Sequence, residues 1–210
     1  MRKTGVLLYL CAALCYTFFM EKIIVATSNA GKLKEIKEIL GDGYEVLSMG
    51  QMGFTDDVEE TGATFYENAL IKAKTVSEAL NLPALADDSG LEVDALGGAP
   101  GIFSARYSGE PCDNARNRAL LLKNMQGVTD RKANFTCCMV MYKPSGEIVT
   151  AEGKTYGSIL AAECGDNGFG YDSLFFSDDL QKSFGMATED EKNSVSHRAR
   201  ALHALIEKLK

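Results

Sequence analysis

A short, uninterrupted apolar run near the start of the chain constrains the fold more than any other feature. Residues 23–26 read Ile-Ile-Val-Ala, without the alternation of a half-exposed strand. Such a run is typical of a strand buried on both faces of a sheet. A polar turn over 27–31 follows, and apolar residues of helical period then predict a helix over about 31–40. A buried strand that passes directly into an amphipathic helix favours an α/β fold.

The later segments continue this alternation and then change to strands. A capping-box pattern at Thr64 and Glu67 predicts the start of a helix that ends before Pro83. The further predicted elements are a buried strand over 84–86 that ends at Asp87, a short strand over 91–93, a helix through Leu122, a hairpin of 133–142 with 148–152, a strand near 155–160 and a last helix over about 196–209. This order predicts an α/β domain with a mixed sheet and flanking helices.

Length, charge and cysteines narrow the possible functions. A chain of 210 residues suits one domain with a sizeable core. The net charge of −7 disfavours a protein that wraps a duplex phosphate backbone, so we expect no nucleic-acid partner. One phosphorylated small molecule can still bind if the positive side chains are local. None of the six cysteines is spaced as a paired zinc ligand, and Cys137 and Cys138 fit the reduced core of a cytoplasmic protein.

The first nineteen residues form a separate apolar segment. Arg2 and Lys3 precede an apolar run over 6–19 that mimics a signal peptide but lacks a small-residue cleavage site. The run is also short for a membrane span. Because Met20 opens a complete first strand, we predict residues 1–19 as an extension upstream of the true start. Residues 20–210 are then the functional domain, with no membrane partner. A signal or anchor and a packed terminal helix are the alternatives.

The polar turn after the first strand is a candidate anion site. Residues 27–32, Thr-Ser-Asn-Ala-Gly-Lys, lead into a helix N-terminus, where free backbone N–H groups point outward. Gly31 permits close approach of a ligand, and Lys32 adds a positive charge. The turn is not a P-loop, because the first glycine of that motif is absent and Leu33 stands where Ser or Thr would hold magnesium. An ordinary helix cap with a solvated lysine explains the segment equally well.

Two neighbouring acids follow the buried strand of residues 84–86. Strand ends in α/β sheets are where ligands bind, and the carboxylates of Asp87 and Asp88 are hard ligands suited to magnesium. Adjacent carboxylates beside a buried strand repel each other, so a cation is expected nearby. The alternative is a simple Asp-Asp-Ser turn that ends with Ser89.

A second acidic pair and a lysine could join them. Glu59 and Glu60 precede the predicted helix and could supply a magnesium ligand or a general base, although exposed charge explains them as well. Lys72 and Asn68 share one face of that helix because they lie four residues apart. Lys72 is close enough in sequence to Asp88 to reach the strand end, although a helical lysine is usually solvated.

Two later segments could hold a nucleobase. Residues 168–172, Gly-Phe-Gly-Tyr-Asp, put two aromatic rings among glycines, so a ring could stack on a base or could anchor the loop. Ser196, His197 and Arg198 open the last helix with donors that suit carbonyl oxygens or phosphate. A helix cap with surface charge is the alternative.

Taken together and in order, these segments resemble one family. The motifs are Thr27-x-Asn29-x-Gly31-Lys32, Glu59-Glu60-Thr61-Gly62, Phe65-x-Glu67-Asn68-Ala69, Lys72-Ala73, Ala86-Asp87-Asp88-Ser89-Gly90-Leu91, Gly97-Gly98-Ala99-Pro100-Gly101-Ile102, Ser104-Ala105-Arg106-Tyr107, Gly168-Phe169-Gly170-Tyr171-Asp172 and Ser196-His197-Arg198. The set resembles the inosine triphosphate pyrophosphatase family, whose bacterial members are dITP/XTP pyrophosphatases. Each motif alone is weak, whereas the ordered set from about Met20 to the C-terminus is specific.

The resemblance implies an elongated mixed sheet in two lobes around a central cleft, usually within a homodimer. It implies magnesium-dependent hydrolysis of ITP, dITP or XTP to the monophosphate and pyrophosphate. It implies Asp88 as proton acceptor and magnesium ligand, Glu60 or else Glu59 as a second metal ligand, and Lys72 facing the phosphates. The residues implied to contact the nucleotide are Thr27, Ser28, Asn29, Ala30, Gly31 and Lys32 at the triphosphate, with Ser89, Phe169, Gly170, Tyr171, Asp172, Lys192, His197 and Arg198 elsewhere, the last two near the base.

Two positions depart from the family pattern. Ser28 replaces a common glycine and Ser173 a common proline, and neither change removes a functional group. We therefore predict that Asp88, supported by Asp87, orients or deprotonates water, while Lys32 and Lys72 supply fixed positive charge. A nucleotide-binding regulatory module without turnover is the alternative, and the acids at positions 60, 87 and 88 argue against it.

Overall fold

A computed structural model describes residues 21–210 of the chain. Our prediction for residues 1–19 falls outside these described residues. Among the helices of residues 21–210, none combines the length and the apolar character that crossing a bilayer requires.

The strands form one mixed sheet. They are β1 (Glu21–Val25), β2 (Tyr44–Ser48), β3 (Ala84–Val93), β4 (Lys132–Tyr142), β5 (Ile148–Ile159), β6 (Phe175–Ser177) and β7 (Lys182–Ser183). Their spatial order is β2-β1-β3-β4-β5-β6-β7. β1 pairs in parallel with β2 and β3, and every later pairing is antiparallel. The predicted α/β class with a mixed sheet is confirmed.

The helices cover both faces of this sheet. They are α1 (Ala30–Leu40), α2 (Phe65–Leu80), α3 (Asn114–Asn124), α4 (Glu189–Val195) and α5 (His197–Leu209). Ile36 of α1 and Leu202 of α5 share an apolar cluster with Leu85 of β3. Ala73 of α2 packs in another cluster with Ala86, the next residue of β3. Since side chains alternate along a strand, the odd-numbered residues in the first half of β3 face α1 and α5, and the even-numbered ones face α2.

β3 also runs from one lobe of the molecule to the other. Leu85 belongs to the cluster with α1 and α5, whereas Leu91 and Val93 belong to a separate cluster with α3 and Phe175 of β6. Residues 87–89 lie between the two clusters. The two-lobed arrangement expected from the family resemblance is confirmed, and it puts the middle of β3 at the cleft.

Two predicted strand boundaries are wrong for one shared reason. The strand at residue 84 does not end at Asp87, because β4 pairs with it along its whole length to Val93. The predicted strands over 148–152 and 155–160 are one strand, β5, which β4 also pairs throughout. Gly153 does not break β5; a Cβ there would lie 2.3 Å from the His197 carbonyl oxygen, so glycine lets α5 pack closely on the strand.

Candidate active site

Asp87 and Asp88 lie in the middle of β3 and point to opposite faces of the sheet. β1 stops at Val25, opposite Leu85, so the edge of β3 beside the two acids has no neighbouring strand. Residues 27–29 of the turn after β1 line a cavity with Asp88 at this open edge. Asp88 therefore reaches the cleft although it is not at a strand end, while Asp87 is buried behind it. The cations expected beside the acids are present: Lys32 and Arg198 lie beside Asp87 on one face of the sheet, and Lys72 lies beside Asp88 on the other.

Asp87 faces α1 and α5, and two cations contact one oxygen of its carboxylate, whereas the buried Oδ1 has no hydrogen-bond partner among the described residues. Its Oδ2 lies 3.1 Å from Lys32 Nζ and 3.3 Å from Arg198 Nη2. The Ser89 hydroxyl donates to the same oxygen and accepts from Arg198 at 3.0 Å. Burial alone would raise the pKa of Asp87, but the charges of Lys32, Arg198 and Lys72 outweigh it and hold that pKa well below its usual range. Asp87 thus stays ionised and anchors two cations.

Asp88 faces α2 and is less strongly compensated. Its Oδ1 lies 3.5 Å from Lys72 Nζ, which lies closer, at 2.7 Å, to Glu60 Oε1. Burial raises the pKa of Asp88 above its ordinary value, and the charges of Glu60 and Asp87 add to the rise, while Lys72 and Lys32 oppose it. Asp88 therefore binds a proton more readily than Asp87. That property suits a proton acceptor.

The structure brings Glu60 rather than Glu59 to the acids. Glu59 is exposed, whereas the Glu60 side chain is half-buried and contacts both Lys72 and Arg106, the latter at 3.9 Å. Burial lowers the pKa of Lys72, but Asp88, Asp87 and Glu60 outweigh it and raise that pKa, so the ammonium group stays charged. One charged lysine thus holds two carboxylates from separate segments.

In the turn before α1, side-chain oxygens accept hydrogen bonds from several of the turn's own backbone N–H groups. Asn29 is the N-cap, and its Oδ1 accepts from the N–H groups of Gly31 at 2.9 Å and Lys32 at 3.1 Å. Thr27 Oγ1 accepts from the Asn29 N–H at 3.2 Å. The prediction of outward free amides therefore holds for fewer groups than expected. The N–H groups of Ser28 and Ala30 make no hydrogen bond with any residue in the part of the chain that the structure describes. Ser28 lines the cavity beside Asp88, so its amide can meet an anion there, whereas Ala30 does not line that cavity.

The loop of residues 168–172 separates its two aromatic rings. Tyr171 is buried, and its hydroxyl donates to the Ser104 carbonyl oxygen at 2.9 Å. Phe169 is half-buried at the cleft, and its N–H donates to Asp172 Oδ2 at 2.8 Å. Arg118 of α3 donates to the Gly170 carbonyl oxygen at 3.0 Å. Tyr171 is thus the loop anchor that the sequence left as an alternative, and Phe169 is the ring presented to the cleft.

A buried ion-pair network links this loop to β3. Lys192 Nζ lies 2.6 Å from Asp172 Oδ2, 2.8 Å from Glu35 Oε1 and 4.7 Å from the centre of the Phe169 ring. Glu35 also binds the Arg198 guanidinium, which in turn contacts Asp87. Burial would raise the pKa of Glu35, but Arg198 and Lys192 outweigh it and lower that pKa. With Lys32 on Asp87, the network has three cations against three carboxylates, so its charges balance inside the protein.

His197 lies beside the network as a neutral ring. It stacks on Phe135, with ring centres 4.8 Å apart and planes 14° from parallel. Burial and the charges of Arg198 and Lys192 hold the pKa of His197 well below its ordinary value. Its Nδ1 is buried without a hydrogen-bond partner among the described residues. A neutral imidazole can donate from one nitrogen and accept at the other.

These residues line two adjoining cavities. The acid cavity, of about 220 Å³, is lined among others by Lys32, Glu60, Lys72, Asp88 and Arg106. The aromatic cavity, of about 100 Å³, is lined among others by Phe135, Phe169, Lys192, His197 and Arg198. Asn29, Lys32, Ser89 and Ala105 line both. The two cavities therefore form one continuous cleft with a charged end and an aromatic end.

The acid cavity has a donor set that fits magnesium. Across residues 21–210, no three acids, histidines or cysteines converge into a complete metal cage. Magnesium in nucleotide enzymes needs less, because one or two carboxylates with water and substrate phosphates complete its coordination. Asp88 and Glu60 both contact Lys72 Nζ, so their oxygens already face one position of positive charge.

A family model for the Ham1 family matches residues 23–208, which include every residue of the cleft. The chain belongs to the Ham1 family. The dITP/XTP pyrophosphatase of Clostridium perfringens is 50% identical to it over 91% of this chain and 98% of its own length. That of Bacillus subtilis is 47% identical over 89% and 96%. The structure of a HAM1 protein from Coxiella burnetii superposes with a TM-score of 0.82 at 37% identity, covering 90% of this chain and 98% of that one.

The sequence assigned no role to several residues in and around the cleft of this Ham1 protein. Glu35 and Phe135 were not predicted, Arg106 had only a place in a family motif, and Asn68 had such a place and a helix face shared with Lys72. Glu35 shares a helix face with Lys32, three residues earlier, but no local pattern marks it as buried. Phe135 had no signal, since an aromatic residue in a strand normally belongs to the core. Arg198 and His197 of α5, far along the chain, contact Glu35 and Phe135 and give them their place beside the cleft.

Proposed function

We propose that this chain hydrolyses non-canonical purine nucleoside triphosphates such as ITP, dITP and XTP to the monophosphate and pyrophosphate. The observation that carries the proposal is the continuous cleft, with carboxylates and lysines at one end and aromatic rings at the other. The names of the two bacterial relatives support the same activity, since both are dITP/XTP pyrophosphatases.

In this proposal one nucleotide spans both cavities. The base stacks on Phe169 in the aromatic cavity, because every purine offers a π face to a ring. The triphosphate extends past the shared wall into the acid cavity, where Lys32, Lys72 and the amide of Ser28 meet its oxygens. This local positive charge explains how a chain of net charge −7 can bind a polyanion.

The residues of the acid cavity divide the chemical work. Asp88 accepts a proton from the water that attacks phosphorus, and pyrophosphate leaves. Lys72 supplies fixed positive charge where negative charge develops, and Asp87 holds Lys32 in place for the same purpose. Asp88 and Glu60 would hold Mg²⁺, whose charge neutralises phosphate oxygens and stabilises the leaving group when it is bound.

Base choice in this proposal depends on donors aimed at the 6-oxo group. Adenine presents an amino donor at that position, so a buried donor would lose its partner at a cost of about 1–3 kcal/mol. Arg198 already makes four hydrogen bonds, to Glu35, Asp87 and Ser89. A guanidinium has five N–H donors, which leaves one for the base. The neutral ring of His197 offers a second donor in the same cavity.

One assay tests the proposal. Purified protein is incubated with ITP, XTP, dITP, GTP or ATP, with Mg²⁺ or with a chelator, and pyrophosphate release is measured. We expect rapid release from ITP, XTP and dITP, slow release from GTP and ATP, and none with chelator. Binding of ITP without any turnover would instead indicate a regulatory module. The homodimer also belongs to this proposal, and light scattering in solution would show the mass of one chain or of two.

A further inference from the structure

Asn68 of α2 is fully buried and stands between the backbone at Gly62 and the carboxylate of Asp88. Its Oδ1 accepts from the Gly62 N–H at 2.8 Å, and its Nδ2 donates to Asp88 Oδ2 at 3.3 Å. Because a backbone N–H can only donate, Gly62 fixes which end of the side-chain amide is oxygen. The donor end must then face the Asp88 carboxylate. The orientation of the amide is therefore determined by its surroundings.

The segment of residues 59–63 lies tightly against the first turn of α2. A Cβ at Gly62 would lie 2.6 Å from Glu67 Cβ and 2.7 Å from Asn68 Oδ1, so only glycine fits. The next amide, of Ala63, donates to the Glu67 carboxylate at 2.6 Å. Glu67 therefore caps Ala63 rather than Thr64, and the predicted capping box is only half formed. The backbone two residues after Glu60 is thus fixed to α2.

Both oxygens of the Asp88 carboxylate are held from α2. Oδ1 lies 3.5 Å from Lys72 Nζ, and Oδ2 accepts from Asn68. Residues 68 and 72 are one helical turn apart and present their side chains on the same face. A lysine ammonium on a four-carbon stem can follow a carboxylate that moves. A planar amide tied at both ends cannot, so Asn68 sets the orientation of Asp88.

We propose that Asn68 is a positioning residue that holds the Asp88 carboxylate and the Glu60 segment in one fixed relation, so that both carboxylates present oxygens to a single divalent cation. Its kinetic consequence rests on the proposed function, whereas its effect on cation binding does not. Residues that orient metal ligands typically change metal affinity or activity about 10–100-fold when they are replaced.

The test compares Asn68→Leu with Ser77→Ala. Ser77 is also a fully buried polar residue of α2, but its hydroxyl donates to the Leu82 carbonyl oxygen at 2.7 Å and lies outside the acid cavity. Mn²⁺ alone is the probe, and its affinity is measured by electron paramagnetic resonance without nucleotide. We expect binding about 10–100-fold weaker in Asn68→Leu and unchanged in Ser77→Ala. With ITP, kcat should fall by a similar factor while KM changes less than about threefold.

The outcomes separate this proposal from the proposed function. Mn²⁺ affinity within about twofold of wild type in folded Asn68→Leu overturns it, as does a wild-type protein that binds no Mn²⁺. If Asn68→Leu does not fold, Asn68→Ser replaces it, because the shorter hydroxyl cannot reach both Gly62 and Asp88; the same weakening is expected. A wild-type protein that binds Mn²⁺ but does not hydrolyse ITP overturns only the proposed function.

Discussion

The two ends of the cleft hold their charges differently. In the aromatic cavity, Lys192 and Arg198 are almost fully buried, and Glu35 pairs with both. In the acid cavity, Glu60 is a quarter exposed, and it shares Lys72 with Asp88 and lies 3.9 Å from the partly exposed Arg106. The aromatic cavity is therefore complete before a ligand arrives. The acid cavity holds looser pairings that a polyanion and a cation can replace, as a reacting site requires.

The same contrast occurs within two adjacent residues of β3. Asp87 and Asp88 are chemically identical, yet their pKa values shift in opposite directions. Asp87 faces α1 and α5, which bring Lys32 and Arg198, whereas Asp88 faces α2 and meets Glu60 as well as Lys72. The face of the strand, rather than the residue type, therefore decides which acid stays ionised beside two cations and which one binds a proton more readily.

The largest effect is expected at Asp88, which we propose as the acid that accepts the proton. In Asp88→Asn the amide is nearly isosteric but cannot accept the proton, so turnover of ITP should fall about 10²–10⁴-fold. Lys72 keeps Glu60 as its partner, so the melting temperature should change little. Steady-state pyrophosphate release and circular dichroism melts measure the two quantities. Turnover near the wild-type level would remove Asp88 from the mechanism.

Asp87→Asn should show the opposite pattern, with a loss of stability as its main effect. The change leaves buried Arg198 and Lys32 with less compensating charge, so the free energy of unfolding should fall by about 3–5 kcal/mol. Urea denaturation measures this loss, with Asp88→Asn as the matched control. Equal stability losses in the two variants would show that the faces of β3 do not divide anchoring from reaction.

Local patterns explain how much of this fold the sequence predicted. The apolar run of β1, the stripe of α1 and the start of β3 depend on neighbouring residues, and all three are present. The extent of β3 was wrong because β4, distant in sequence, pairs with it as far as Val93. β5 was divided in two because its hairpin pairing with β4 continues past Gly153. No local pattern marks the pairing of β3 with β4 or the far end of that hairpin.

The cleft shows the same limit at the level of side chains. Asp87, Asp88 and Lys32 carry a local signal, because acids and a lysine directly follow buried apolar runs. The burial of Glu35 has no local signal in the sequence, because a glutamate in a helix normally faces solvent. Only Lys192 and Arg198, from the far end of the chain, compensate its buried charge. Lys192 itself was expected only through the family resemblance.

A smaller effect is expected at the ring of the aromatic cavity. Phe169→Leu keeps apolar bulk but removes the stacking face, worth about 1–3 kcal/mol per base. KM should rise by similar factors for ITP and ATP, with kcat nearly unchanged, in contrast to Asp88→Asn. Tyr156→Leu, at an exposed aromatic residue of β5, is the control. A kcat effect without a KM effect would move Phe169 from recognition to chemistry.

Arg198→Lys sharpens the comparison within the aromatic cavity. Lysine keeps a positive charge for Asp87 and Glu35 but loses the planar donors. The kcat/KM for ITP should fall about tenfold more than that for ATP, because a donor to the 6-oxo group is lost. Steady-state kinetics on both nucleotides measure the ratio. An equal loss for both would make Arg198 a member of the ion-pair network only.

The smallest effect concerns His197 and pH. Its folded pKa is lowered, so the unfolded chain binds this proton more readily, and stability present above about pH 6.5 is lost as the pH falls below it. From about pH 6.5 to pH 5.5 the loss should be of the order of 1 kcal/mol. His197→Gln should not show this pH-dependent loss of stability, whereas His203→Gln, which replaces an exposed histidine, should still show it. Melts across this pH range would contradict the assignment if the two variants behaved alike.

A crystal structure of Asp88→Asn with ITP and Mg²⁺ would show how the nucleotide lies in the cleft, because the inactive variant should retain it intact. We expect one ITP molecule across both cavities, with its base against Phe169 and its triphosphate against Lys32 and Lys72. A nucleotide in the reverse orientation, or one bound outside the two cavities, would contradict the division of the cleft into a recognising end and a reacting end.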